Sequence, residues 1–287
     1  MHHGPQFVRT GPILDPAQIR KVAPNYPHHD AMFPSVVATD ALHNARGKYY
    51  CYFGPHDPPG GIYLAVADDP AGPWRPRTEP VIRRVWPGRL SVDHVASPHA
   101  LWVRELGRLI LWFHGPNWVT HWAASDDGIH FEYGGVSLQD TKPATVSYAR
   151  VFRSLDGFLM IYMRRDTNGI HHLHAAHSTD AVNFQEAGRV LRSQRGHYCG
   201  GWLWRGLLIY HHDLPGHVPG RFTANLVCRE FDPLTLASGD ERVFYEAPLQ
   251  DTPRVASACI LEQDLAHLYY DAGPRLSNSI CHAVLRP

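Results

Sequence analysis

The stretch SPHALWVRELGRLILWFHGP at residues 97–116, followed by THWAASDDGIHF at 120–131, holds the pattern that decides the fold. A short polar lead-in enters an apolar strand, a glycine-containing turn reverses the chain, and a second strand rich in Leu, Ile, Trp and Phe returns. The same hairpin recurs as FPSVVATDALHNARGKYYCYFGP (33–55), SYARVFRSLDGFLMIYMRRD (147–166), HYCGGWLWRGLLIYHHD (197–213) and PRVASACILEQDLAHLYYDAG (253–273). The starts lie 64, 50, 50 and 56 residues apart, a spacing that marks a repeat architecture.

Each hairpin is followed by a third strand: residues 61–74, 120–131, 170–184, 223–236 and 279–287. Three of these end in an Asp-containing turn ahead of an aromatic (Trp74, Phe131, Phe184). A fourth strand is expected at EPVI (79–82), GGVSL (134–138), GRVL (188–191) and ERVFYEA (241–247). Four antiparallel strands repeated radially make the blade of a propeller, so the expected fold is all-β, a single five-bladed β-propeller over residues 1–287. The fifth unit stops before its fourth strand. Residues 7–14, FVRTGPIL, resemble the fourth strands and are expected to close the ring on the last blade, removing an open edge. No sustained 3.6-residue apolar period is present, so helices are expected to be minor.

Composition agrees. The 287 residues are 44% hydrophobic and 19% charged, and 24 Gly with 24 Pro suit a chain of short strands and many turns. Lys plus Arg (27) equals Asp plus Glu (27), which argues against nucleic acid or an anionic membrane as partner. Five cysteines without CxxC spacing, four of them in apolar runs, read as buried reduced thiols. With no apolar leader at the N-terminus, a cytoplasmic location is expected.

The 21 histidines are an excess that needs a reason. In a propeller, the starts of the inner strands and the loops after the second strands share one face and form a central funnel. Nine histidines fall at these places: His28, His29, His56, His94, His99, His114, His197, His211 and His212. With them fall Asp30, Asp57, Asp93, Tyr148, Arg150, Arg164, Arg165, Asp166, Tyr198, Asp213, Arg254 and Asp271, with Glu246 and Asp251 on the approach. His121, His130, His171, His172, His174 and His177 belong to outer strands and read as ordinary structural or surface histidines.

The repeat, with its A-x-S-x-D-G-x-x-F outer strands, resembles the five-bladed glycoside hydrolases of families 43, 32 and, more distantly, 117. The resemblance covers essentially the whole chain and implies a carbohydrate-cleaving enzyme, with an oligosaccharide as its partner. In those families an Asp precedes the Pro of the first inner strand, a second Asp opens another, and a Glu leads a later one. Here Phe33 stands before Pro34, His99 follows Pro98, and the segment from Gly196 to Gly200 has no Glu.

Replacement groups lie nearby. Glycoside hydrolysis requires an acid and a carboxylate about 5–5.5 Å apart for retention or about 6.5–9.5 Å for inversion. Asp30, Asp93, Asp213 and Glu246 are candidates for that pair. Histidine also serves as a general acid, as the likeness to family 117 implies, which adds His94, His99 and His197. The expected catalytic set is Asp30, Asp93, His94, His99 and His197. The expected sugar-binding set is His29, His56, His114, Tyr148, Arg150, Tyr198, His212, Asp213 and Arg254. Trp86, Trp118, Tyr26 and Tyr198 could stack on sugar faces.

Three alternatives stay open. One is a lyase on a uronic-acid sugar, with a His or Tyr base and Arg150 and Arg254 to neutralise the carboxylate. A second is a non-catalytic sugar-binding propeller. The third is a divalent ion held by funnel His and Asp, although no cofactor is required and no HxH or HExxH spacing calls for one.

Overall fold

The computed structural model describes every residue except 1–4, 28, 141–144, 194–195, 214–224, 247, 252–253, 275 and 287. Five four-stranded antiparallel sheets stand as blades around one axis. The inner strands are Met32–Ala38, Ala96–Val103, Ser147–Ser154, His197–Trp204 and Val255–Glu262, each at the place expected from the repeat. Each packs on the inner strand of the next blade, and the fifth packs on the first. The second strands, Tyr49–Gly54, Arg108–His114, Gly157–Arg165, Leu207–Asp213 and Ala266–Ala272, are the apolar runs of the repeat. Buried on both faces, they hold neighbouring blades together through residues such as Ile110, Trp112, Met160 and Tyr162. All five cysteines are buried and none is in a disulfide.

The third strands are Tyr63–Ala67, Val119–Ser125, His171–Ser178, Asn225–Glu230 and Ser279–Leu285. The turns after two of them explain the Asp in the repeat: Asp127 Oδ1 accepts the backbone N–H of Ile129 and His130, and Asp180 Oδ1 accepts those of Val182 and Asn183. Fourth strands run through Glu132–Gln139, Gln185–Leu191 and Arg242–Glu246. The first blade differs from expectation. Its fourth strand is only Arg75–Pro76, and residues 79–82 touch the blade through a single bridge from Ile82 to Ile62. The proline at position 76 has no N–H to donate to a longer ladder. The one described α-helix, Pro16–Val22, is capped by the Asp15 carboxylate, and no described helix is long and apolar enough to cross a membrane.

Phe7–Leu14 forms the outer strand of blade five, antiparallel to Ser279–Leu285, with Phe7 opposite Leu285 and Leu14 opposite Ile280. The joint is held by charge as well as backbone. Arg9 Nε lies 2.9 Å from both Asp251 carboxylate oxygens, and its NH2 lies 2.7 Å from Oδ1. Tyr270 donates to Asp251 at 2.7 Å. The Asp251 side chain is 1% exposed and that of Arg9 22%, so the carboxylate depends on this cation for its charge compensation. Phe7 packs on Trp204 and Phe244 of blade four at 5.9 and 5.5 Å, so the closing strand also ties two blades. Replacing Arg9 by Ala leaves a buried carboxylate uncompensated, and a loss of about 3 kcal/mol in unfolding free energy is expected. Urea denaturation checks this; an unchanged midpoint would show that the ion pair is not what fastens the ring.

Candidate functional site

One backbone device builds the funnel in all five blades. At the same point of each inner strand, pairing with the second strand shifts register: between Met32 and Ser35, Ala96 and His99, Ser147 and Arg150, Cys199 and Trp202, and Ala256 and Cys259. The residue at the bulge is left-handed each time: Phe33 (φ 60°), Ser97 (52°), Tyr148 (56°), Gly200 (66°) and Ser257 (54°). Four of the five carry a side chain where only glycine is free of strain, at about 1–3 kcal/mol each. Bulges of this kind re-aim side chains and gather next to functional sites.

The re-aimed residues form the funnel floor. Phe33 of blade one and Tyr148 of blade three meet edge to face at 5.3 Å. Blade two lies between these blades, so the two rings reach one another only across the axis. Two histidines contact Tyr148, and a third stands behind one of them. The Tyr148 hydroxyl lies 3.4 Å from His56 Nε2, His114 packs on its ring at 5.1 Å, and His94 meets His114 at 5.4 Å. His56 Nδ1 in turn lies 2.5 Å from Asp57 Oδ1. The resulting line, carboxylate to imidazole to phenol, has the connectivity by which a base activates a hydroxyl group. Asp30 sits beneath it, 1% exposed, accepting the His56 backbone N–H at 2.9 Å, and Tyr26 donates to the Asp30 carbonyl.

A second polar group fills the side of blades four and five. Arg254 donates to Asp271 at 2.7 Å and lies 3.3 Å from His211 Nε2. The other Asp271 oxygen accepts the N–H of Phe33 at 3.3 Å, which joins this network to the floor. Burial, followed by the charge of Arg254, pushes the His211 pKa well down, and burial does the same to His114. His94 is lowered too, first by partial desolvation.

Two residues past each bulge the side chains turn beneath the floor and plug the axis: Ser35, His99, Arg150, Trp202 and Cys259. Ser35 Oγ accepts the N–H of Ala100, His99 Nε2 lies 2.8 Å from the Val151 carbonyl, and Arg150 donates to the Pro98 carbonyl. His99 packs on Trp202 at 5.5 Å and faces a cavity of about 600 Å³ at the opposite mouth of the tunnel. Burial, with the charge of Arg150, pushes its pKa down to about 3. Burial also lowers Arg150, to about 10.

The expected residues therefore separate. Asp30, His94, His56, His114, Tyr148 and Arg254 come together in the funnel, and Arg150 lies directly below. His99 lies in the plug. His197 sits at the funnel edge, where its ring meets His171 at 4.5 Å. Asp93 and His29 are exposed on the rim, and Asp93 receives Arg84 only at its backbone carbonyl. Tyr198 and His212 face sideways between blades three and four, against Tyr210 and Glu241. Glu246 is exposed at the outer end of blade four. His28 and the side chain of Asp213 lie outside the described residues. Of the candidate stacking aromatics, Tyr26 and Trp86 pack on Tyr63 and Phe113, while Trp118 is 51% exposed. Phe33 is a floor residue that its apolar character had hidden. Among the described residues no three His, Cys, Asp or Glu converge as a metal site.

The closed ring with a polar funnel at the inner-strand starts is the architecture of the five-bladed glycoside hydrolases. No family model and no curated protein matches the sequence. Solved structures do match in fold. A glycoside hydrolase superposes with a TM-score of 0.71 at 13% identity, covering 99% of this chain and 92% of its own. An α-L-arabinofuranosidase from Podospora anserina, solved with cellotriose, gives 0.67 at 9% identity over 99% and 98%. A thermostable family-43 glycoside hydrolase gives 0.56 at 14% over 66% and 68%. At such identities the likeness establishes the fold and leaves the chemistry to the residues.

The buried histidines set a pH dependence. An unfolded histidine titrates near 6.5. His99 does so only near 3, and burial brings His121, His171, His174 and His282 to about 4. The unfolded chain thus takes up protons that the native state refuses. Stability is complete above about pH 6.5 and is lost as pH falls toward 3, at about 1.4 kcal/mol per pH unit for a fully buried group such as His99. The melting temperature is expected to drop steadily from pH 7 to pH 5. A flat profile over that interval would contradict the neutral, buried state of these side chains.

Proposed function

We propose that the protein is a carbohydrate-active enzyme that cleaves a glycosidic bond in the funnel, with Tyr148, His56 and Asp57 moving the proton. The observation that carries this reading is the Asp57–His56–Tyr148 line, which ends on a phenol at the floor of a glycoside hydrolase fold. None of the five bulge residues is a carboxylate, and two funnel carboxylates are committed elsewhere: Asp271 to Arg254, and Asp30 to the His56 backbone. A two-carboxylate mechanism has little to work with here, whereas a phenol paired with imidazole can give or take a proton near neutral pH. Asp57 fixes the orientation of His56 and leaves Nε2 facing the phenol. His114 and His94, both shifted toward the neutral form, crowd the same space and can accept hydrogen bonds from sugar hydroxyls.

Elimination from a uronic-acid glycoside is the second reading. The tyrosine line favours it, because that reaction requires a base at carbon rather than a carboxylate nucleophile. Product analysis separates the two: hydrolysis releases reducing ends alone, while elimination also leaves a double bond that absorbs in the ultraviolet. Under either chemistry Tyr148→Phe is expected to lower kcat by about a hundredfold or more, and His56→Asn to lower it by a similar factor, with folding intact by circular dichroism. Full turnover by Tyr148→Phe on the oligosaccharide cleaved by the wild type would overturn the assignment.

A further inference from the structure

Outside the funnel, on the same face of the molecule, blade three carries an unusual concentration of positive charge. The second strand ends in Arg164 and Arg165, the third begins at His171 and His172, and the fourth ends beside Arg189 and Arg192. These segments enclose a cavity of about 220 Å³ lined by Arg164, Arg165, Asp166, His172, His174, Arg189 and Arg192. Arg164 is neutralised, lying 2.6 Å from Asp140 and 2.5 Å from Glu186. His174 shares Glu186 at 3.1 Å, and His172 lies 3.2 Å from Asp166. No described carboxylate pairs with Arg165, Arg189 or Arg192, and all three are exposed.

Three guanidinium groups lining one small cavity repel each other. Some exposed arginines elsewhere are matched to acids, as in Arg75–Asp68, Arg83–Glu79 and Arg153–Glu105, and others such as Arg84 and Arg89 reach backbone carbonyls; blade three differs in gathering three arginines without a described acid around one cavity. An arginine presents a planar fork that grips a carboxylate or sulfate through two hydrogen bonds, and the grip strengthens where several forks converge. The cavity is smaller than the roughly 300–1,000 Å³ of a complete ligand pocket, a size suited to one charged group or one ring of a longer molecule. It also lies near the funnel edge: His171, next to His172, meets His197 at the start of the inner strand of blade four.

We infer that Arg165, Arg189 and Arg192 form a subsite for an anionic group, a carboxylate or a sulfate, on the sugar chain whose scissile bond lies in the funnel. This rests on the glycosidic-cleavage reading and narrows its substrate to acidic oligosaccharides. The subsite holds the chain one or more units away from the reacting bond and takes no part in proton transfer.

Binding by isothermal titration separates the possibilities, using an oligogalacturonate for the carboxylate, a sulfated galactan oligosaccharide for the sulfate, and a neutral xylo-oligosaccharide as control. All titrations use the Tyr148→Phe background, with and without the exposed pair Arg189→Gln and Arg192→Gln. The expected result is that one acidic probe binds, that its affinity falls steeply with added salt, and that the double substitution weakens it about tenfold or more. The acidic probe that binds identifies the group. Equal affinity of the double variant, equal affinity for the neutral control, or no binding of either acidic probe would each overturn the subsite. The two readings fail separately. Cleavage that survives in Tyr148→Phe removes the proposed chemistry and leaves the arginine subsite standing, while unchanged binding in the double variant removes the subsite alone.

Discussion

The structure depends on one repeated constraint, the convergence of five strands on a common axis. A straight strand alternates its side chains and would send them only sideways, into the neighbouring blades. The left-handed residue at each bulge breaks that alternation. It turns one side chain up into the funnel and, two residues later, another down into the plug. Phe33, Ser97, Tyr148 and Ser257 accept a backbone conformation that their side chains disfavour, and contacts across the axis such as Phe33–Tyr148 offset part of that cost. The bulge residues therefore set the floor of the funnel, and loop groups such as His56 and Asp57 complete its chemistry.

The blades were legible because their signal is periodic. Apolar second strands recur in all five repeats, and an Asp-containing turn ahead of an aromatic recurs in three. The closing strand was legible for the same reason, since residues 7–14 supply the missing copy. The bulges were not legible. Only Gly200 among the five carries a residue type that announces a positive φ; a phenylalanine, a tyrosine or a serine gives no such sign. Without the two-residue register shift His99 reads as a funnel group, whereas the shift drops it into the plug. Tyr198 and His212 were misdirected by the same gap: they precede or oppose regular pairing and follow the sideways alternation. Asp57 and His56, by contrast, lie on a loop where neighbouring residues need not diverge, and their contact is local enough for adjacency to suggest it.

The histidine excess also acquires a physical meaning. A large share of these side chains are held neutral by burial, in the plug at His99, beside Arg254 at His211, and in outer strands at His121 and His282. There they act as polar packing groups that satisfy one backbone or side-chain partner in a dry setting. The smaller set around Tyr148 differs in having several polar groups in mutual reach on the open side of the floor. Count alone does not distinguish these two uses; the partner at each ring nitrogen does.

The pairing of Phe7 with Leu285 joins the first described segment of the chain to nearly the last. A chain made from its N-terminus thus carries an apolar strand with no partner until almost all of the remaining sequence exists. Four blades can pair internally as they emerge, because their four strands are consecutive, but the fifth cannot. Closure is a contact of very long sequence separation, and its loop entropy is met only after the other blades have brought these strands together. The ring is in this sense a clasp that fastens last, and the Arg9–Asp251 pair lies on the clasp itself.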